Sequence, residues 1–290
     1  MAKTVSDLLT NIKVRGQIPD DSGTLSDANI LQMASDELSN VVVPRIMAER
    51  EWHYAFNYVV TLSSAREYRM NSRVAGNAII SVEYYDGTNY RFIRQKHPLM
   101  QYAYSEENFS IYGNKIVLSS SVPSSGSLRV RALLRTSALV SSGCTNITSY
   151  DAATNILAVG SSTGFTSGQS IDVVYGDSPY EIYYANATIS SIPDGTHIAL
   201  SDDVTTDWPL GRVCPAETSD RVQLPDELHD YLAQRTVIRC MEARGFTQDM
   251  QNHMLKLNDL EAAFDRLISP RSRGEFKAIM PEFYELTRTI

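Results

Sequence analysis

Between Ser137 and Pro215 the chain changes character so abruptly that no uniform fold can hold it. Eight acidic residues fall there (Asp151, Asp172, Asp177, Glu181, Asp194, Asp202, Asp203 and Asp207) against one basic residue, Arg212. The segment has no Lys and no Met, and is dense in Ser, Thr and Gly. It carries −7 of the chain's net −8 and leaves −1 for everything else. Such a shift marks a separate module inserted into a host fold. Within it, short apolar runs at residues 156–159, 171–175, 182–189 and 197–200 are separated by Gly, Ser and Asp turns. Closure is the simplest way for so few strands to avoid open edges, which gives a small barrel; a small sandwich is the alternative.

On both sides of the module the apolar period is helical. Val5, Leu8, Leu9 and Ile12 make one face, with Thr4 or Ser6 to cap it and Gly16 to close it. From an N-cap at Ser26, the stripe Ile30, Leu31, Ala34, Leu38, Val41 and Val42 leads to Pro44, which kinks the helix or begins a new one. Ile46, Met47, Trp52 and Ala55 continue it, so a nearly continuous helix over residues 27–56, about 45 Å long, is expected. Arg45 and Glu49 stand at the spacing of a surface ion pair. After Leu224-Pro225-Asp226-Glu227, a stripe of Leu228, Tyr231, Leu232, Ile238 and Met241 runs to Gly245. Thr247 can cap a second stripe, Met250, Met254, Leu257, Leu260, Phe264 and Leu267, which Ser269-Pro270 stops. So short a link makes the two an antiparallel hairpin.

Residues 76–135 alternate with period two, and Asp86-Gly87 and Gly113-Asn114 mark hairpins. Leu128, Val130, Ala132 and Leu134 alternate with Arg129, Arg131 and Arg135, a strand with one wet basic face. The fold class is therefore α+β: a discontinuous helical bundle from N- and C-terminal helices, an antiparallel β middle, and an inserted small β-barrel-like module. Residues 1–75 are the N-terminal helices, 76–136 the β region, 137–215 the acidic module, 216–268 the hairpin completing the bundle, and 269–290 a C-terminal arm.

The function classes left open are few. A hydrophobic fraction of 43% with 21% charged residues excludes wholesale disorder. No apolar run approaches the ~20 residues of a membrane span, and Met-Ala-Lys-Thr-Val-Ser-Asp-Leu-Leu lacks the apolar stretch of a secretory signal. Net acidity, with no basic helix and no aromatic–basic platform expected, argues against sequence-specific DNA binding. Three cysteines, Cys144, Cys214 and Cys240, form no CxxC, so neither a disulfide scaffold nor a zinc knuckle is indicated. Cys144 and Cys214 lie near the module's ends, so they are expected close in space without being bonded. The five histidines never fall at metal-ligand spacing. Gly176-Asp177-Ser178 opens like one hydrolase motif, but lacks its following elements and reads as a turn. No nucleophile elbow, phosphate loop or dinucleotide fingerprint occurs. No catalytic, cofactor-binding or metal-binding residue is expected, no cofactor is implied, and the chain reads as a non-enzyme.

One segment does point to a partner. Beyond Pro270, the residues Phe276, Ile279, Met280, Phe283, Tyr284, Leu286 and Ile290 have no period that would bury them in their own domain. Such a tail is either disordered or docks on a partner, and its aromatics favour docking. Arg271 and Arg273 add charge that orients the encounter.

The order of helical N-terminus, β middle and C-terminal hairpin resembles the head-to-tail adaptor (connector, or neck) proteins of tailed bacteriophages. So do the opening Val5-Ser6-Asp7-Leu8-Leu9-Thr10-Asn11-Ile12-Lys13, the 109–118 hairpin followed by Pro123, and a C-terminal hairpin running from Leu224-Pro225-Asp226-Glu227-Leu228-His229 to Leu267-Ile268-Ser269-Pro270-Arg271. The likeness covers roughly residues 1–136 and 216–290; the acidic module departs from it as an added decoration. The resemblance implies a structural virion protein of the head–tail neck, made in the host cytoplasm. Its implied partners are the portal protein, a tail or nozzle protein and other copies of itself in a ring, typically of twelve. Packaged double-stranded DNA would pass close by without specific contact, and no membrane is involved. The alternative is a tail-associated binding protein whose acidic module recognises a host-surface glycan.

Overall fold

The computed structural model describes residues 3–19, 25–49, 54–100, 106–174, 182–201 and 211–269. The expected arm and the Asp177-Ser178 turn lie outside the described residues.

Helix α1 (Val5–Gly16) starts on a capping box, in which the Asp7 N–H donates to Thr4 Oγ1 and the Thr4 N–H to the Asp7 carboxylate, each at 3.0 Å. Its left-handed closing residue is Gln17 (φ 48°) rather than Gly16. Gly16 serves packing instead, because a Cβ there would sit 3.2 Å from the Ile18 side chain and 3.5 Å from that of Val237. Helix α2 (Asp27–Glu37) is capped by Ser26 and runs through a π-helical turn, Leu38–Val42, into α3 (Val43–Glu49). The π turn comes just before Pro44, where an unbroken α-helix would meet the ring and the missing N–H.

The expected helix over residues 27–56 is too long. Ala55 and Phe56 already belong to strand β1 (Ala55–Thr61), where Phe56, Tyr58 and Val60 turn inward at period two. β-branched and aromatic residues crowd that stretch, and sheet pairing overrides the helical spacing that reaches Ala55. Arg45 likewise bonds Glu261 (2.8 Å) and Asp265 (2.6 Å) rather than Glu49.

Strands β2 (Glu67–Arg69), β3 (Val74–Tyr85), β4 (Tyr90–Gln95), β5 (Asn108–Tyr112), β6 (Lys115–Leu118) and β7 (Ser127–Leu134) join β1 in a seven-stranded sheet, ordered β1-β7-β3-β4-β5-β6-β2. The sheet thus begins within residues 1–75, ahead of the expected boundary. It is also not wholly antiparallel: β4 and β5 pair in parallel, Arg94 with Asn108 and Gln95 with Phe109. Parallel neighbours cannot be joined by a tight hairpin turn, and twelve residues separate the two strands. Leu128, Val130 and Val82 point into the sheet's own core.

After the short β8 (Ala138–Leu139), strands β9 (Thr145–Asp151), β10 (Ile156–Val159), β11 (Ser170–Val174), β12 (Ile182–Asp194), β13 (His197–Leu200) and β14 (Arg212–Pro215) close into a barrel. Its order is β10-β13-β12-β11-β14-β9, and it is filled by Leu157, Ile171, Val173, Ile198 and Val213, among others. β15 (Thr218–Ser219) then pairs in parallel with β8, so the chain leaves the barrel beside the point where it went in. Cys144 and Cys214, expected near each other, are joined there by a disulfide. Their Cα atoms are 4.3 Å apart because β14 pairs with β9 and brings the two ends together.

Helices α4 (His229–Arg244) and α5 (Thr247–Ile268) complete the fold. Gly245 (φ 73°) closes α4, and α5 begins at Thr247 with Phe246 as its N-cap. α1, α2 and α5 all pack on α4. Leu8, Ile12, Ile30 and Leu38 from the start of the chain share one core with Leu232, Val237 and Cys240 from its end.

Sheet, barrel and linker meet at a buried ion pair. Arg73 and Asp172 both have 0% side-chain exposure, with Arg73 Nε 3.7 Å from Asp172 Oδ2. Arg73 Nη2 donates to Ser137 Oγ (2.8 Å), and Asp172 Oδ2 accepts the Glu217 N–H (2.8 Å). Asp172→Ala leaves the guanidinium uncompensated and is expected to cost about 3–5 kcal/mol in urea denaturation. Arg73→Met with Asp172→Leu should recover most of that loss; equal loss in both would show that the pair itself is not the issue. Replacing Cys144 and Cys214 by Ser is expected to cost roughly 2–4 kcal/mol, and reductant should lower the melting temperature of the wild type but not of the variant.

Candidate interaction surface

Two surfaces stand out, one on the helices and one on the sheet. On the helices, Glu37 is the organising residue. It is only 3% exposed, yet Arg235 Nε and Arg239 Nε each donate to its carboxylate at 2.6 Å. Glu37 ends α2, and the arginines sit one turn apart on α4, so the cluster fixes how the two helices face each other. Burial alone would raise the Glu37 pKa; the hydrogen bonds from Arg239 and Arg235 outweigh it and hold the carboxyl below its ordinary value. Beside it, a groove of about 620 Å³ runs along the π turn, lined by Met33, Asp36, Asn40, Val41, Arg239 and Ala243. A second groove of about 260 Å³ continues between α4 and α5 past Ile238, Met254 and Leu257.

α5 is the unusual element. Among its described side chains only Phe264 and Ile268 are buried, while Met254, Leu255 and Leu267 are exposed. Tyr231 and Phe264 stack at 4.6 Å, and Arg45 lies 4.9 Å over the Phe264 ring, so the C-terminal end is anchored. Along the rest of a helix about 33 Å long, Leu257 and Leu260 pack half-buried on the shared core, and Met254 and Leu255 face solvent.

On the sheet, β1, β7, β3 and β4 carry a mixed face opposite the core. The register sets Val59 beside Arg129, Arg129 beside Glu83 and Glu83 beside Phe92. The next row sets Ser127 beside Tyr85 and Tyr85 beside Tyr90. Phe92 is 74%, Val59 66% and Tyr90 50% exposed. Arg129 bonds Glu83 and lies 3.9 Å over the Tyr90 ring, which itself stacks on Tyr85 at 4.5 Å. Arg131 shares this face by alternation with the buried Val130 and Ala132, and Arg94 by alternation with the buried Ile93. The expectation of no aromatic–basic platform is thereby overturned: the register gathers one from residues as much as seventy positions apart.

The chemistry elsewhere is sparse. Cys144, Cys214 and Asp220 have the spacing of metal ligands, but both sulfurs are spent in the disulfide and Asp220 accepts from Arg212. His229 is buried, and burial, with the charge of Lys3, pulls its pKa below the ordinary value. Asn108-Phe109-Ser110 matches the Asn-x-Ser glycosylation pattern, but Asn108 is fully buried. Among the described residues no helix is long and apolar enough to cross a membrane. The expected arm residues, Arg271, Arg273, Phe276, Ile279, Met280, Phe283, Tyr284, Leu286 and Ile290, lie outside the described residues.

Because the folded pKa of Glu37 is depressed, its contribution is full above the unfolded value near 4.5 and is lost as pH falls through the folded value. Glu37→Gln should therefore be less stable than wild type at neutral pH by about 1–3 kcal/mol, with the gap narrowing as pH falls below the unfolded value near 4.5. Denaturant midpoints measured as the pH is lowered check it, and a gap that does not narrow would place the stabilisation elsewhere. No protein-family model matches the chain, and no curated protein does either, so its function has to be argued from the geometry.

Proposed function

We propose that the chain is a structural virion subunit: a head-to-tail adaptor whose copies form a ring that joins the portal to the tail and lets DNA pass. The observation that carries this reading is α5, a 22-residue helix that packs on the core through Phe264, Ile268 and the half-buried Leu257 and Leu260 yet leaves Met254, Leu255 and Leu267 exposed. A monomer gains nothing from those exposed residues; a subunit that packs against neighbours buries them. The discontinuous bundle supports the same reading, since it places the start of the chain and the hairpin that precedes the C-terminal arm in one rigid block. The arm, residues 271–290, is then the portal-binding element, with Phe276, Phe283 and Tyr284 as aromatic anchors. Net acidity suits a wall that DNA slides past, because no counterion release rewards contact.

Electron microscopy of the purified chain mixed with the portal protein of its virion tests the proposal. Rings seated on portal particles are the expected result; a chain that neither binds the portal nor forms rings overturns the adaptor reading. Truncation after Ser269 should leave a folded subunit, with a melting temperature close to wild type, that no longer joins the portal. A truncated chain that loses stability yet still assembles would make the tail part of the core.

A further inference from the structure

The charge of this chain is sorted by architecture. Residues 55–135, which form the sheet, hold ten basic residues against five acidic, a net of +5. Residues 137–215, the segment that contains the barrel strands, carry −7; of its acidic residues Asp151, Asp172 and Asp194 lie in the described structure. Within one copy, Arg73 and Asp172 at the buried junction neutralise one charge of each sign. The rest of the imbalance remains, and on the sheet it coincides with the exposed face of Phe92, Val59 and Tyr90 flanked by Arg94 and Arg131.

That face has the composition of a binding hot spot. Tyr90 is held by Tyr85 on one side and Arg129 on the other, so little rotamer freedom is lost when something covers it. Arg129 is already matched by Glu83, whereas Arg94 makes no ion pair among the described residues. The occupant it suits is therefore apolar at the centre and acidic around it. The barrel module has that charge, and it displays Asp151 and Asp194 at turns on its surface.

We infer that the outer face of β1, β7, β3 and β4 in one copy docks on the acidic barrel of the next copy. Sheet and barrel are different surfaces, so the contact is heterologous: each copy offers both halves, and repetition closes into a ring if the rotation allows. This deepens the ring proposed above and rests on it, by naming the surfaces through which neighbours meet. It also gives the inserted module a task, since a chain without it would lack the acidic half of the joint.

Sedimentation of the full-length chain tests the inference. Association at about 50 mM salt should weaken at least about tenfold by about 1 M, where the screening length falls to about 3 Å. Phe92→Ala with Arg94→Glu, both on exposed side chains, should weaken it at least about tenfold at low salt without moving the melting temperature. Asp151→Lys with Asp194→Lys, which takes the module from −7 to −3, should weaken association likewise from the other side; because these carboxylates also hold their turns and Asp194 pairs His197, the comparison is made at a temperature where both variants are folded. The decisive measurement mixes the two variants. One intact sheet face then meets one intact module, so heterodimers form and growth stops there. A chain that stays monomeric at low salt, association indifferent to Phe92 and Arg94, or a mixture that forms no dimers overturns the inference. So does oligonucleotide binding that the sheet-face variant abolishes, since the face would then belong to nucleic acid. Normal rings on the portal by the sheet-face variant sink this inference and leave the adaptor reading standing; self-association as described by a chain that ignores the portal does the reverse.

Discussion

An arginine with none of its side chain in water is a costly thing to build, and Arg73 is placed where three parts of the fold touch. Among the described residues its hydrogen bond goes to Ser137 on the linker, while its charge is met by Asp172 on barrel strand β11. Nε and Nη1 find no hydrogen-bond partner in the described structure. An apolar pair of the same volume would serve stability as well or better. What the ion pair supplies is discrimination: a barrel seated in another orientation would strand one buried charge, at several kcal/mol. The disulfide between Cys144 and Cys214 fixes the same neck covalently, and Arg212 braces it through Asp220 and Asn146. Sheet, linker and barrel are thereby held in one arrangement, on which any surface spanning several copies would depend.

The bundle faces a different constraint, because its helices come from opposite ends of the chain. Bringing them together closes a loop of about two hundred residues, yet closure entropy grows only logarithmically with length. The contacts that offset it are large and apolar, with Leu8, Ile12, Ile30 and Leu38 packed against α4. Polar contacts then set the register. Glu37 holds Arg235 and Arg239 across α2 and α4, and Arg45 holds Glu261 and Asp265 across α3 and α5. Both clusters join an early helix to a late one, so neither can form until the chain ends have met.

What could be read from the sequence depended on range. Helix faces, the caps at Thr4 and Ser26, the Asp86-Gly87 and Gly113-Asn114 hairpins and the acidic module are local patterns, and local patterns are visible without a fold. The limit of the second helix was misjudged because Ala55 fits a helical stripe as well as a strand; pairing of β1 with β7, more than seventy residues away, decides it. Strands β9 and β14 escape a hydrophobicity reading because Thr145–Asp151 is mostly polar and Arg212–Pro215 starts on an arginine, ends on a proline and has only two apolar residues between. The disulfide follows from their pairing, so it was hidden for the same reason. Glu37 gave no sign of its role, since a glutamate on an amphipathic helix ordinarily faces water. Its two arginines lie about two hundred positions away.

The sheet's outer face is the sharpest case of the same limit, and it bears on how an assembly of this chain would hold together. Read along the chain, Arg129 and Arg131 are a wet strand face, Phe92 is one aromatic in a short strand, and Glu83 is unremarked. Read across the register, Val59, Arg129, Glu83 and Phe92 form one row, in which the only carboxylate is already engaged by Arg129. Arg94, which makes no ion pair among the described residues, stands beside exposed aromatic rings, a combination that attracts an acidic apolar surface over distance and holds it at contact. The long-range part is set by net charge, +5 on one segment and −7 on the next, and is weakened by salt. The contact part is set by Phe92 and Tyr90 and survives it. Each element contributes a charge of little use alone, and in the proposed contact a second copy would bring opposite charges from two different surfaces face to face.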